Sequence, residues 1–206
     1  MMKKIIAKCS LLLATLILAS CSPVQKVPEK TETPEKTPVQ EAKCGKGQWC
    51  YVFTNETKKA ITLYGKDLLA ANPSDYAKYC GTAPKLDCYN AILHGMSVYE
   101  SGIDPSKTYK ENFEDAKGNY VISTGLLQVS VESCKSYGSS ANSTEDLKIP
   151  EKNLECSVRI LNRWIPKDGV IAGGSYGEWK GAARYWSILR KGQAEVREKA
   201  LGYLKP

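Results

Sequence analysis

The chain has 206 residues, of which 42% are hydrophobic and 25% charged, and a formal net charge of +7. Residues 1–43 hold seven lysines and four glutamates, so residues 44–206 carry 22 basic and 18 acidic groups, a net of only +4. So mild a bias, with no basic cluster interleaved with aromatics and no internal repeat, gives no ground for a nucleic-acid partner; it suits an acidic polymer.

The N-terminus reads as a targeting segment. Lys3, Lys4 and Lys8 form a basic region, and residues 9–17 are an apolar run too short to span a membrane. The run ends in LASC at 18–21, which resembles a bacterial lipobox. Residues 1–20 are therefore expected to be a lipoprotein signal peptide, with Cys21 lipidated. Ser22 after it resembles an outer-membrane sorting signal. The expected location is an outer-membrane lipoprotein facing the periplasm, or the cell surface. Residues 22–43 contain four prolines and repeated Glu, Lys and Thr, with almost nothing to bury. Such a segment cannot offset its own ordering entropy and reads as an extended tether, giving a linker over 21–43. Residues 44–206, roughly 160 in number, suffice for one domain with a sizeable core.

Six cysteines remain in that domain, at 44, 50, 80, 88, 134 and 156, an even number in an exported chain. Six cysteines permit fifteen pairings; local order favours Cys44–Cys50, Cys80–Cys88 and Cys134–Cys156. The sequence has no CxxC and His94 is its one histidine, so no metal and no cofactor are expected.

In chain order, QWCYVF at 48–53 reads as a short strand or turn, and residues 56–72 as a helix stopped by Asn72-Pro73. Residues 73–80 form a brief helical piece with Ser74 as its cap. The strongest helix covers 84–100: Leu86, Tyr89, Leu93, Met96 and Glu100 repeat at three and four, Ile92 and Tyr99 broaden the stripe, and Gly102 and Pro105 end it. GNYVIS at 118–123 fits one arm of a small hairpin. A helix resumes at Leu126, and 139–147 is a polar loop. Pro150 opens a helix that Pro166 ends. Helices over 179–190 and 192–204 close the chain. The expected fold is mainly α, an α+β arrangement with a small β or irregular insert.

Glu100 is the sharpest candidate for chemistry. A carboxylate at a helix C-terminus is disfavoured by the dipole, which together with burial would raise its pKa. A carboxylic acid that keeps its proton near neutrality can protonate a glycosidic oxygen. Ser123, Thr124, Gly125 and Gln128 offer short polar groups behind it, of the type that sugar hydroxyls and N-acetyl groups require. Tyr109, Tyr120, Tyr176, Trp179, Tyr185 and Trp186 supply faces for sugar rings. His94, six residues before Glu100, falls near the opposite helix face and reads as a packing residue.

ESG at 100–102, Pro105 and STGLLQVS at 123–130 together resemble the signature of lysozyme-like enzymes of the soluble lytic transglycosylase and goose-type lysozyme group. The likeness continues through Pro150, Asn153, Leu154 and Leu161. It ends at Tyr176, where Gly177 replaces the asparagine of the family's turn, and it spans roughly residues 75–190. The resemblance implies a lysozyme-like domain with peptidoglycan strands as partner. Glu100 would be a single general acid/base cleaving the β-1,4 bond between N-acetylmuramic acid and N-acetylglucosamine. Ser101, Ser123, Gly125, Gln128 and Tyr176 would bind substrate; apart from the resemblance, Tyr120 is expected to join Gln128 in positioning the N-acetyl group or the developing oxocarbenium. Ring closure by the C6 hydroxyl would make the enzyme a lytic transglycosylase, and attack by water a lysozyme. A second carboxylate would favour water; among Asp104, Glu111, Glu114 and Asp115, Asp104 is the most suggestive. Two further readings are a hydrolase acting on de-N-acetylated glycan and a non-catalytic glycan-binding lipoprotein. A monomer is expected.

Overall fold

The computed structural model describes residues 48–191 and 193–205. The expected signal peptide, the expected lipidation at Cys21, the expected tether and the expected Cys44–Cys50 pairing lie outside the described residues.

Helix α1 (Gln48–Tyr64) begins where a strand or turn was expected; QWCYVF simply continues the following helical stretch. Gly65 breaks the run before α2 (Lys66–Ala70). Helix α3 (Tyr76–Cys80) has Asp75, not Ser74, at its N-cap, and the Asp75 carboxylate accepts from the backbone N–H groups of Ile171 and Ala172.

Helix α4 (Lys85–Glu100) is the central element. Residues 88–93 and 95–97 are all buried, so its apolar surface is wider than one stripe. It packs against α1 and against the C-terminal helix α9 (Gln193–Leu204). At Gly95 an added Cβ would meet the Val196 carbonyl oxygen at 3.1 Å, so glycine permits the close approach of α9. His94 stacks on Tyr203 of α9, with ring centroids 4.6 Å apart. Burial lowers its pKa, first by desolvation and then through Lys199.

After α4, strands β1 (Thr108–Glu114) and β2 (Tyr120–Thr124) form an antiparallel hairpin whose register shifts between Lys110 and Glu114. The stretch from Leu126 is not helical. Residues 125–128 form a tight turn closed by a Thr124–Val129 bridge, with Gln128 at φ +46°. Helix α5 (Val131–Ser136) starts only afterwards, capped by the Ser130 hydroxyl, which accepts from the Ser133 N–H. The polar loop at 139–147 contains a one-turn helix, α6 (Thr144–Leu147), capped in the same way by Ser143.

Helix α7 (Pro150–Asp168) does open on its proline, but it runs through Pro166. A proline so near the end removes little of the ladder. The stop comes from Gly169, left-handed at φ +67°, whose N–H donates to the Ile165 carbonyl. The helix expected over 179–190 is replaced by a strand pair, β3 (Ala172–Gly173) with β4 (Lys180–Gly181), then a 3-10 turn at Ala182–Arg184 and a short α8 (Ile188–Lys191). The Ala182 N–H donates to the Ile171 carbonyl, so this segment takes its pairing from a distant strand rather than from itself.

Two disulfides, Cys80–Cys88 and Cys134–Cys156, match the local pairing. The second ties α5 to α7. The described domain is thus mainly α, an α+β arrangement with a small hairpin insert.

Candidate active site

The C-terminus of α4 delivers Glu100 into a groove with two lobes. One is a cavity of about 660 Å³ walled by the β1–β2 hairpin and α5. The other, about 590 Å³, is walled by Tyr99, Tyr176 and Trp179. Glu100, Ser187 and Arg190 line both, so the carboxyl sits where the lobes meet. Glu100 is half-buried, and its pKa is raised to about 7, first by desolvation and then by repulsion from Glu111.

Glu111 lies on β1 and lines the larger lobe together with Phe113, two positions along the strand. On β2 the same alternation turns Val121 and Ser123 toward the lobe. The Ser123 hydroxyl donates to Glu111 Oε1 at 2.5 Å, which fixes the second carboxylate.

The turn at 124–127 is held by a different side chain at each carbonyl. Asn153 Nδ2 donates to the Thr124 oxygen at 2.8 Å and Gln128 Nε2 to that of Gly125 at 2.8 Å. The Ser101 hydroxyl donates to the Leu126 oxygen at 2.9 Å and the Trp186 indole to that of Leu127 at 2.8 Å. Asn153 also accepts from the Leu127 N–H and donates to the Leu147 carbonyl. The carbonyls of the turn are therefore bonded from α4, from α7 and from the 180s as well as by Gln128, which locks it beside the end of α4.

This arrangement sorts the residues singled out in the sequence. Ser123 and Gln128 line the larger lobe and Tyr176, 96% exposed, lines the other. With Gln128 Nε2 engaged by the Lys107 and Gly125 carbonyls, its amide oxygen is the group available to a ligand. Ser101 and Gly125 are buried and stand outside both linings. At Gly125, φ is +78° and a Cβ would lie 2.2 Å from the Leu147 carbonyl oxygen of α6 and 2.3 Å from Asn153 Nδ2 of α7, so glycine serves packing against these helices rather than approach to a ligand. Tyr120 faces away from the lobe by strand alternation and carries Lys110 Nζ at 3.6 Å from its ring centre. Asp104 is an exposed turn residue outside the groove lining. Its Oδ1 accepts from the Ser106 hydroxyl and N–H, which holds the carboxyl below the usual carboxylate range. The carboxylate that acts electrostatically on Glu100 is Glu111.

Sequence reasoning did not single out Glu132 on α5 or Arg190 on α8, both of which line the groove. The strand alternation of TYKENFE could have brought Glu111 forward over Asp104; nothing local marked Arg190. Among the described residues no group of three or more His, Cys, Asp or Glu is placed to hold a metal ion, and no helix is long and apolar enough to cross a membrane.

No family model and no curated protein matches the chain. Solved structures do. The wild-type Bdellovibrio protein Bd0314 DslA, a lysozyme-like protein, is 37% identical, with a TM-score of 0.68 over 75% of this chain and 91% of that one. A glutamate-to-glutamine mutant of DslA is 36% identical, with a TM-score of 0.69 over 81% and 93%. A further such mutant, also 36% identical, is changed at a position eleven residues away from the first. Glu100 and Glu111 are the one pair of glutamates in this sequence with that spacing. At 37% identity over 91% of the DslA chain, the protein belongs to the family of the lysozyme-like protein DslA.

Proposed function

We propose that the protein is a peptidoglycan muramidase that hydrolyses the β-1,4 bond between N-acetylmuramic acid and N-acetylglucosamine. The observation that carries this reading is Glu100, half-buried at the junction of the two lobes with a pKa of about 7. At neutral pH it holds a proton for the bridging oxygen of a glycan lying along the groove. Glu111, held by Ser123, is the second carboxylate. As a base it activates water at the anomeric carbon; this favours hydrolysis over ring closure by the C6 hydroxyl. The spacing of the two glutamates changed in DslA supports the same pair. Gln128, Ser123 and Tyr176 contact the sugars, while Ser101, Gly125 and Asn153 place the turn that carries Gln128.

A specific observation favours a finer reading of the substrate. Glu111, Glu114, Asp115 and Glu132 all line the hairpin lobe, against Lys117 and the shared Arg190. A wall so rich in carboxylates suits a sugar bearing a free amine, and hence de-N-acetylated glycan. Two disulfides among the described residues accord with an exported enzyme, anchored through Cys21 by the tether.

The test is mass spectrometry of muropeptides released from acetylated and de-N-acetylated sacculi by wild type and Glu100→Gln. Reducing ends, more product from the de-N-acetylated wall, and silence of the variant are expected. Anhydro ends would replace hydrolysis by transglycosylation, and release by the variant would remove Glu100 from the chemistry.

A further inference from the structure

The two lobes differ in charge as well as in shape. The hairpin lobe is dominated by carboxylates. The lobe on the other side of Glu100 contains Arg190 and Lys191, and among the described residues Glu100 at its boundary is the one acid that lines it; Tyr99, Tyr176 and Trp179 supply its flat walls. Resting on the glycan-cleaving reading above, we propose that this second lobe is a subsite for a sugar whose substituent is an acidic peptide, so that the enzyme selects its register by charge on both sides of the bond it cuts.

The Arg190 guanidinium is pre-set for such a ligand. Its Nε donates to the Ala183 carbonyl at 2.8 Å and its Nη2 to that of Arg184 at 2.9 Å, and the group lies 5.6 Å from the Trp179 ring centre. These contacts fix the plane of the fork and leave Nη1 free of any described hydrogen bond. A guanidinium ordered before binding loses little entropy when it takes an oxygen acceptor. Lys191, next in sequence, is exposed at the mouth of the same lobe. Among the described residues neither cation has an ion-pair partner. The dipole of a four-residue helix is too small to account for two unpaired cations in its last turn. Neutral sugar hydroxyls do not call for them either. A carboxylate-bearing peptide carried on alternate sugars would satisfy both cations, while the aromatic walls take the ring face.

The experiment measures kcat/KM on two soluble glycan oligomers of equal length, one carrying peptides with free carboxylates and the other the same peptides with those carboxylates amidated. The quantity read is the preference ratio between them. Lys191→Glu is the main variant, because its side chain makes no described contact that the fold needs. Lys66→Glu, an exposed lysine on α2 outside both lobe linings, controls for net charge. The preference for the acidic oligomer is expected to fall about fivefold in Lys191→Glu, mainly through KM, and to stay at the wild-type ratio in Lys66→Glu. Arg190→Lys, which keeps the charge but not the fork, is expected to lower the ratio less than Arg190→Gln. An unchanged ratio in Lys191→Glu, or an equal fall in Lys66→Glu, would overturn the subsite while leaving cleavage by Glu100 intact. If wild type cleaves neither oligomer, the reading on which the subsite rests has failed, and the subsite with it.

Discussion

The turn at 124–129 and the β1–β2 hairpin meet at Thr124 and both border the Glu100 lobe, yet they are held in opposite ways. The turn is buried, and its carbonyls from Thr124 to Leu127 are each bonded by a side chain, three of those side chains coming from other segments. The hairpin is exposed along nearly all of β1 and is fixed mainly by its own ladder and the Ser123–Glu111 bond. Such a division places precision in the part that seats Glu100 and leaves charge and contact surface to the part that solvent reaches. Damage to the turn should therefore register as lost stability, and damage to the hairpin as lost activity in a folded protein.

The largest effect is expected between the two regions, at the acid itself. Glu100→Gln should lower glycan cleavage by about a thousandfold or more, the usual scale for removing a positioned acid, without lowering the melting temperature. It should also alter the pH dependence of stability. The folded-state pKa of Glu100, about 7, lies above its ordinary 4.5. Stability linked to this group is therefore full below pH 4.5 and is lost as pH rises toward 7. That loss amounts to at most about 3 kcal/mol. Denaturant unfolding across that window should slope downward in wild type relative to the glutamine variant; parallel curves would show that Glu100 is not desolvated in the folded chain.

Next comes the turn. Asn153→Ala removes one accepted and two donated hydrogen bonds from a buried site, and should cost about 3 kcal/mol in urea unfolding. A loss below about 1 kcal/mol would mean that the turn holds its shape without α7. For the hairpin, Glu111→Gln should reduce activity by about a hundredfold with unfolding unchanged. A parallel fall in stability would erase the distinction between the two regions. Smallest is Tyr120→Phe: with the ring turned from the lobe, activity on glycan should stay within about twofold. A larger loss would bring Tyr120 back into the groove.

Much of this was legible in the sequence where periodicity and punctuation agree. Helix α4 announces itself by spacing, α7 by Pro150, and Glu100 by its place before a Ser-Gly turn. The segment from Trp179 to Arg190 was not legible, because its three-and-four spacing imitates a helix while its backbone at Lys180 and Gly181 pairs with β3, at Gly173 and Ala172. Ser101 and Gly125 were identifiable as parts of a motif, but their roles as clamp and packing residue depend on Leu126 and Leu147, which no local pattern connects to them. Asp104 drew attention by its closeness to Glu100 in sequence, whereas Glu111 reaches the site by strand pairing. Adjacency along a chain says little about a groove closed by a hairpin.

The most direct test of the central claim, that Glu100 carries its proton at neutral pH as the acid of the groove, is the pH profile of kcat/KM on glycan for wild type and Glu111→Gln. Loss of the Glu100 proton should give wild type an alkaline limb near pH 7. Removing the Glu111 charge should move that limb to lower pH in the variant. A wild-type limb near the ordinary 4.5, or one that the variant leaves in place, would contradict the account.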